Sequence, residues 1–424
     1  MKPSPALIRH CAAALLAVAA IGLGQAVASA GAADVVTWGR ILIIGDGPYG
    51  ACREKCGAEL YDPSSNRFAT DPPFIGQGRI EATATVIRMG LNAGKVLVAG
   101  GYNEGGPLTS TELFDPATDR SSPGPEMKDE RNSHTATVIP SGPHAGRIII
   151  VGGDQTELYD PVANIFAPGP PVNGSRWDHT ATVITSGPNA AKILFAGGWR
   201  EIVRSLASTE LYDPVTNRFV TPAQTATMKV ARESHTATVL TTGPNAEKIL
   251  IAGGRGNRKR YDPLASTELY DPTSNRFTKR THAATMKVPR AYHTATLITS
   301  GPNDGKILIA GGQQGINDVL SSTELYDPLT DRFSTGPAMH SGRTHHVAIT
   351  IASGPNAGKI LIAGGAGAQC ASGRGCTFVQ LASSELYDPT TNTFAPGPTM
   401  HGALGSGTAV QLPPSPPERR TAIP

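Results

Sequence analysis

Short apolar stretches and turn-forming residues alternate along nearly the whole chain. HTATVIT alternates small or polar residues with apolar ones, whereas KILIAGG ends a continuous apolar run with two glycines. Alternation with period two is typical of a strand that buries one face, and a short continuous apolar run is typical of a strand that buries both. Between such stretches, SGPNAGK is rich in turn formers. The pattern predicts many short β-strands, and no stretch has a convincing helical period.

These stretches belong to an internal repeat that reads as four strands per copy. An Arg begins each complete copy, and the first Gly of a glycine pair follows it at a constant distance, as from Arg290 to Gly311. A third strand, ELYDP or a variant of it, comes next, and NRF opens the fourth. The third-strand aromatics are Tyr61, Phe114, Tyr159, Tyr212, Tyr270, Tyr326 and Tyr387.

Four-stranded units repeated at this spacing predict a β-propeller. The glycine pair after an apolar strand, then Tyr-Asp-Pro, then an aromatic seven positions on, resembles the kelch repeat, with Phe where kelch usually has Trp. The likeness covers positions 40 to about 410. The first copy starts at its second strand, and a lone first strand, GTAVQL, stands near the end. We therefore predict an all-β, seven-bladed kelch-type propeller, closed by an N-terminal three-strand unit plus a C-terminal strand.

The segment that precedes Gly31 differs in character from the repeats. Lys2 and Arg9 precede a long uncharged apolar run, which ends at Ala28-Ser29-Ala30. This is the layout of a secretory signal peptide with small residues at its cleavage site, although the run is also long enough for a membrane anchor. We predict a signal peptide over 1–30 cleaved after Ala30, a propeller over 31–412 and a disordered Pro-rich tail over 413–424.

The net charge of the chain indicates which classes of binding partner to expect. Cleavage would remove the two basic residues Lys2 and Arg9, so the formal net charge would fall from +3 to about +1. A net charge this small does not indicate binding to nucleic acid or to an anionic membrane surface. The mature chain is expected to be a secreted or periplasmic monomer that does not insert stably into a membrane, with an extracellular glycan or protein as its partner.

The four cysteines of the mature chain form two clustered pairs, CREKC (Cys52, Cys56) and CASGRGC (Cys370, Cys376). Outside the cytoplasm such cysteines can oxidise, and four allow three pairings. Local disulfides are the simplest arrangement, and a disulfide between the blades at the ring seam is the alternative. A zinc site is a further alternative, which the absence of an accompanying His disfavours.

One His recurs three positions after the Arg in five copies, and it forms a Tyr-His pair at Tyr292 and His293. Because equivalent positions are spread around a ring, these histidines are predicted to hydrogen-bond between blades rather than to bind metal. The glycine pairs lack the Lys-Ser/Thr of a phosphate loop and are predicted to allow close backbone approach beneath the next aromatic. Copper-radical oxidases resembling galactose oxidase use a Tyr-His pair on a kelch propeller, but they also need residues that have no counterpart here. No metal and no cofactor are expected.

The repeated arginines have two interpretations. Each could pair with a repeated Glu or a backbone carbonyl in a neighbouring blade, or some could bind ligand around the mouth of the central channel. The arginines are Arg79, Arg131, Arg176, Arg232, Arg290 and Arg343.

The connections between the second and third strands vary most in length and chemistry. Loops on a rigid scaffold are where function concentrates, and these loops share a face of the propeller with the arginines. Their candidate ligand-binding residues are Trp199, Arg200, Arg204, Arg255, Arg258, Lys259 and Arg260. These features favour an exported, non-catalytic binding propeller for a glycan, peptide or envelope partner. The alternatives are an enzyme (a copper-radical oxidase, or a sugar epimerase or lyase resembling the exported kelch epimerases) and a purely structural spacer.

Overall fold

The computed structural model describes residues 39–46, 57–73, 75–201, 204–257, 262–277, 284–315, 317–371 and 375–413. The predicted signal peptide and most of the predicted tail therefore lie outside the described residues. Within them, nearly all regular structure is β, with two short 3-10 turns at Pro222–Gln224 and Gly301–Asn303. Among these residues, no helix is long and apolar enough to cross a membrane.

The strands are short, as the spacing of turn residues predicts, and are numbered in chain order. The first twelve are β1 (Ile41–Asp46), β2 (Ala58–Asp62), β3 (Arg67–Phe68), β4 (Thr83–Val86), β5 (Val96–Ala99), β6 (Tyr102–Asn103), β7 (Gly106–Pro107), β8 (Thr111–Asp115), β9 (Arg120–Pro123), β10 (Thr135–Val138), β11 (Ile148–Gly152) and β12 (Gln155–Asp160). The next twelve are β13 (Ile165–Pro168), β14 (Thr180–Val183), β15 (Ile193–Ala196), β16 (Trp199–Arg200), β17 (Arg204–Ser205), β18 (Thr209–Asp213), β19 (Arg218–Phe219), β20 (Thr236–Val239), β21 (Ile249–Ala252), β22 (Thr267–Asp271), β23 (Arg276–Phe277) and β24 (Thr294–Leu297). The last twelve are β25 (Ile307–Ala310), β26 (Gln313–Gly315), β27 (Asp318–Val319), β28 (Thr323–Asp327), β29 (Arg332–Thr335), β30 (Val347–Thr350), β31 (Ile360–Ala363), β32 (Ala366–Ala371), β33 (Gly375–Gln380), β34 (Ser384–Asp388), β35 (Thr393–Pro396) and β36 (Gly405–Gln411).

Seven antiparallel four-stranded sheets form the blades, which confirms the predicted seven-bladed propeller. Blades 1 to 6 are β4-β5-β8-β9, β10-β11-β12-β13, β14-β15-β18-β19, β20-β21-β22-β23, β24-β25-β28-β29 and β30-β31-β34-β35. Blade 7 has the order β3-β2-β1-β36, so the first and last of the described strands share one sheet. Ile41 pairs with Gln411 and Ile44 with Thr408 in that antiparallel ladder. The predicted closure by an N-terminal triplet and a C-terminal strand is present.

The core is divided among the interfaces between neighbouring blades. Seven apolar clusters each combine residues from two adjacent blades, and the cluster between blades 4 and 5 includes Leu250, Leu269, Ile309 and Tyr326. All four of those side chains are at most 2% exposed. Burial of such side chains stabilises a protein by about 1.5 to 3 kcal/mol each. Blade-to-blade packing therefore stabilises the ring, and no single blade has a core of its own among the described residues.

The glycine pairs allow a close approach, as predicted, but the neighbouring group is not the one expected. Gly100 has a φ of +57°, and a side chain there would lie 2.5 Å from the carbonyl oxygen of Arg131 and 2.9 Å from the ring of His134. Both belong to the segment that leads into the next blade. The glycines are therefore required beneath the next blade's Arg and His rather than beneath the next aromatic.

Most connections between second and third strands are themselves ordered. Small antiparallel hairpins are formed by β6-β7, β16-β17, β26-β27 and β32-β33. In an up-and-down blade, the connection between the second and third strands lies on the same face of the propeller as the connection to the next blade. The turns that join the first strand to the second and the third strand to the fourth lie on the other face. We call the first of these two faces the hairpin face.

Candidate binding site

The six repeated arginines are buried and bonded to the protein through their Nη atoms. Each of these arginines is at most 3% exposed. In every copy Nη1 donates to the carbonyl of the first Gly of the glycine pair, at 2.7 to 2.9 Å. Nη2 donates to the Glu of the third strand at 2.7 to 3.2 Å. That Glu lies in the same blade, not in a neighbouring one as we expected.

The glutamates complete the arrangement by accepting backbone hydrogen bonds. Glu324, for example, accepts from the N–H groups of Lys287 and Val288, which precede Arg290. Each buried pair thus fixes the connection between two blades. The Nη groups are thus bonded to the protein, which favours the structural interpretation, and ligand binding by Arg79, Arg131, Arg176, Arg232, Arg290 or Arg343 stays a prediction.

The repeated histidines join neighbouring blades, as predicted. Nε2 of each His hydrogen-bonds to a Thr of the preceding blade's inner strand at 2.9 to 3.1 Å, in the pairs Thr83–His134, Thr135–His179, Thr180–His235, Thr236–His293 and Thr294–His346. Burial, together with the nearby Arg131 and Arg79 guanidinium groups, lowers the pKa of His134 to about 3. Burial next to Arg232 likewise lowers the pKa of His235 to about 3. These imidazoles are therefore neutral structural groups at physiological pH.

A third ring lies between the arginines and the histidines. The residue immediately before each His, or before its equivalent, has a φ between +44° and +57°, the left-handed region that a side chain rarely occupies. We call this set the axial ring: Glu81, Ser133, Asp178, Ser234, Tyr292, His345 and Ser406. Such a backbone conformation costs about 1 to 3 kcal/mol per residue, and residues strained in this way cluster at functional sites.

Backbone hydrogen bonds tie the axial ring together around the propeller. The N–H of Ser133 donates to the carbonyl of Glu81, and the same link repeats through Asp178, Ser234, Tyr292 and His345 at 3.0 to 3.3 Å. At the seam the N–H of Glu81 donates to the carbonyl of Ser406 at 3.1 Å. These backbone bonds run from blade to blade, and most of the axial-ring side chains face a common space.

That space is an axial cavity of about 120 Å³ on the hairpin face. Six of the seven axial-ring residues line it, and the repeated histidines His235, His293 and His346, with Thr294 and Gly407, complete the lining. The cavity has room for a group of a few heavy atoms. It is polar and rich in ionisable side chains, in contrast to the apolar interfaces between blades.

Asp178 is the most perturbed acid of the cavity. Burial, with the neighbouring carboxylates of Glu81 and Glu233, raises its pKa to about 7, although Arg255 opposes this effect. Glu81 is fixed nearby, since its Oε2 accepts hydrogen bonds from Asn132 Nδ2 at 2.7 Å and from Ser133 Oγ at 2.8 Å. One cavity carboxyl therefore exchanges its proton near neutral pH.

Tyr292 forms the opposite wall of the cavity, with Arg255 bonded to it. Arg255 Nη1 donates to the Tyr292 hydroxyl at 2.6 Å, and Arg255 Nε lies 3.3 Å from Glu233 Oε1. The Tyr292 ring stacks on His345 with centroids 4.0 Å apart. Burial lowers the pKa of His345 to about 4, so this ring is neutral. Of the loop residues predicted to bind ligand, Arg255 is the one that the structure brings next to the cavity.

The other predicted loop residues have different surroundings. Trp199 begins the hairpin β16-β17, half-buried, with its ring 5.7 Å from that of Trp177. Arg200 is half-buried, and the backbone of Arg204 pairs with it across the hairpin. Arg258, Lys259 and Arg260 lie outside the described residues.

The cysteine predictions fall largely outside the described residues. Cys52 and Cys56 are not among them. The backbones of Cys370 and Cys376 stand directly opposite each other in the hairpin β32-β33. That register is compatible with a local disulfide, which stays a prediction.

Sequence reasoning missed Glu81, Asp178, Ser234, His345 and Ser406, and it used Tyr292 only as half of a Tyr-His pair. The sequence indicates these residues at a single position of the repeat, where the residue type varies between copies. Two positions after the recurring Arg, the residue changes among Glu, Ser, Asp, Tyr and His. In the part of the chain that the structure describes, no group of three or more His, Cys, Asp or Glu side chains is arranged to hold a metal ion.

Comparison with known proteins supports the resemblance. The family model of the kelch motif matches residues 90–128 and 290–340. Compared with curated proteins, the chain matches none. The two matched segments lie in blades 1 and 5, and blades 2, 3, 4 and 6 repeat the same Arg–Glu pairs, glycine pairs and Thr–His hydrogen bonds between blades. Together with the seven blades closed into a ring, these kelch motifs support a kelch-repeat β-propeller family for the chain.

Proposed function

We propose that this protein is an exported, non-catalytic binding propeller that takes a group of its ligand into the axial cavity. The observation that carries the proposal is the contrast within each blade. The Arg, Glu and His side chains repeat and bond to the protein itself, whereas the axial-ring side chains are of five residue types and six of the seven line one cavity. The ligand is a glycan, a peptide or an envelope protein, and the rest of it lies across the variable hairpins.

The binding surface can be tested with two matched substitutions. A ligand found on glycan and peptide arrays would be titrated against Tyr292→Ala, in the cavity, and Leu329→Ala. Leu329 is 65% exposed in a turn of the opposite face. We expect Tyr292→Ala to weaken binding at least tenfold, a loss of about 1.4 kcal/mol, and Leu329→Ala to leave it unchanged. The reverse result would place the ligand on the other face.

Export has its own test. The basic N-terminus, apolar run and small residues before Gly31 support cleavage after Ala30. N-terminal sequencing of protein recovered outside the cytoplasm should begin at Gly31. Recovery of residues 1–30 with the membrane fraction would contradict export as a free protein.

An enzymatic role is the second candidate, and Asp178 favours it. A carboxyl whose pKa is about 7 can both accept and donate a proton at neutral pH, as acid–base chemistry on a sugar requires. Sugars that bind would be incubated with the protein and examined for epimerised or eliminated products. Turnover that disappears in Asp178→Asn while binding persists would establish the enzyme, and unchanged sugars would support the binding protein.

A further inference from the structure

Carboxyl groups outnumber basic groups in and next to the cavity. Glu81, Asp178 and Glu233 are close enough for both glutamates to act electrostatically on Asp178. Among the described residues, Arg255 is the basic group that opposes them, and it is already bonded to Glu233 and to the Tyr292 hydroxyl. Three carboxyl groups thus stand against one guanidinium. Of the described residues that line the cavity itself, none is Lys or Arg.

A second observation points independently to a polar ligand. Ser234 lines the cavity and is only 8% exposed, and its Oγ has no hydrogen-bond partner within 3.5 Å. An unpartnered buried hydroxyl costs about 1 to 3 kcal/mol, and a ligand N–H group would satisfy it. The backbone N–H of Ser234 is bonded to the carbonyl of Asp178 at 3.0 Å, so the two residues are neighbours in the axial ring. The hydroxyl oxygen of Ser234 and the carboxylate oxygens of Glu81 and Asp178 can all accept hydrogen bonds from ligand N–H groups.

The aromatic wall argues against a sugar ring as the group that enters. Sugars commonly bind against an open aromatic face, but His345 is stacked on the Tyr292 ring and the Arg255 guanidinium lies 5.9 Å from its centroid. A compact head group needs no free aromatic face. A planar or tetrahedral nitrogen cation also fits the size of the cavity.

We propose, on the basis of the proposed function above, that the axial cavity recognises a protonated amine or guanidinium group of the ligand, held by Glu81 and Asp178, and that this binding releases one proton from Asp178. The proton leaves the Asp178 carboxylic acid for the buffer, and the carboxylate that remains pairs with the incoming cation. No redox step or co-reactant is involved.

The groups that face Asp178 determine how binding depends on pH. They are Glu81 from the start of blade 1, Glu233 and Arg255 from blade 4, and Tyr292 from the start of blade 5. His345, stacked on Tyr292, is neutral above its pKa of about 4. An opposite charge next to a carboxyl lowers its pKa by about 1 to 3. Affinity for a cation should therefore rise at least tenfold from pH 5 to pH 8.

The test uses two probes of nearly identical shape, methylguanidinium and the neutral methylurea, titrated by calorimetry into the full-length protein. Phosphate and ACES buffers differ in their heats of ionisation, so the difference in heat counts the protons released. We expect methylguanidinium to bind at least tenfold more tightly than methylurea, with close to one proton released at pH 6 and almost none at pH 8.5. Free arginine amide and a peptide with an internal arginine then distinguish a small amine from a protein as the source of the cation.

Two variants make the test specific. Asp178→Asn should weaken methylguanidinium binding and abolish proton release. Glu247→Gln should change neither, since Glu247 lies in an exposed turn of the opposite face, where it accepts a hydrogen bond from Thr185. Equal binding of the two probes, or no binding of any cation up to the order of 10 mM, would overturn the inference.

The proposed function fails by a different result. If a neutral glycan binds and Tyr292→Ala abolishes that binding, the cavity is the binding site but cation recognition is wrong. If the ligand's affinity is insensitive to every cavity variant, the site itself is wrong.

Discussion

Neighbouring positions in each blade behave in opposite ways. Arg290 and His293 are almost completely buried, bonded to Glu324 and Thr236, and repeated around the ring. Tyr292, between them, has a strained backbone, faces the cavity and is replaced by other residue types at the equivalent positions. The first two positions hold the blades together, whereas the side chain at the third position faces the cavity and varies in residue type. Scaffold and candidate site are thus adjacent along the chain.

The largest loss of stability is expected when the ring is opened at its seam. Deleting residues 404–424 removes β36 and leaves β1 as an unpaired edge, with Ile41 and Ile43 exposed. We expect loss of cooperative unfolding and of solubility. Deleting only 414–424 should leave the melting temperature unchanged. A 404–424 deletion that unfolds like the full chain would contradict closure by the shared blade.

Removing one member of a buried ion pair should have the next largest effect. Glu324→Ala leaves the Arg290 guanidinium buried without its carboxylate, which typically costs about 3 to 5 kcal/mol. Urea unfolding measures this loss. Glu130→Ala is the matched control, because Glu130 is exposed, and it should stay within about 0.5 kcal/mol of the wild type.

The buried histidines predict sensitivity to acid. His235 titrates near pH 6.5 when unfolded but near pH 3 when folded, so only the unfolded state takes up the proton in between. The stability that His235 contributes is present above pH 6.5 and is lost as the pH falls towards 3, by about 2 kcal/mol between pH 6.5 and 5. His235→Gln should reduce that acid-induced loss of stability by the same amount. An identical loss in the variant would show that His235 is protonated in the native state.

The axial ring predicts a small effect of the opposite sign. Ser234→Gly relieves a left-handed backbone of φ +50° and removes a hydroxyl without a hydrogen-bond partner, so we expect a gain of about 1 kcal/mol. Ser300→Gly is the contrast, since Ser300 has an extended backbone of φ −159° and glycine there should only lose stability. Equal losses at both positions would mean that Ser234 supports the fold.

The sequence was sufficient for the fold because the repeated residues are those that pack. The spacing from Arg290 to Gly311 is fixed by a hydrogen bond between them, and the recurring His is fixed by its Thr partner. The cavity was not predicted because the axial-ring residues that line it come from different blades, far apart in the sequence, and are of several residue types, with only Ser234 and Ser406 alike. Only their common backbone conformation, between a repeated Arg and a repeated His, unites them. The hairpin loops were predicted to bind ligand because of their variable length, yet of those predicted loop residues that the structure describes, Arg255 is the one next to the cavity.

The central claim is that the axial ring serves ligand binding at the expense of stability, and Asp178→Asn tests it most directly. The pKa of Asp178 is about 7 in the folded protein and 3.8 when unfolded, so the wild type loses stability as the pH rises through this window, by up to about 4 kcal/mol. Asparagine resembles the protonated acid and does not ionise. In urea titrations, Asp178→Asn should therefore be more stable than the wild type at pH 8 and nearly equal to it at pH 4. A variant that is less stable than the wild type at pH 8 would contradict the claim and make Asp178 part of the scaffold.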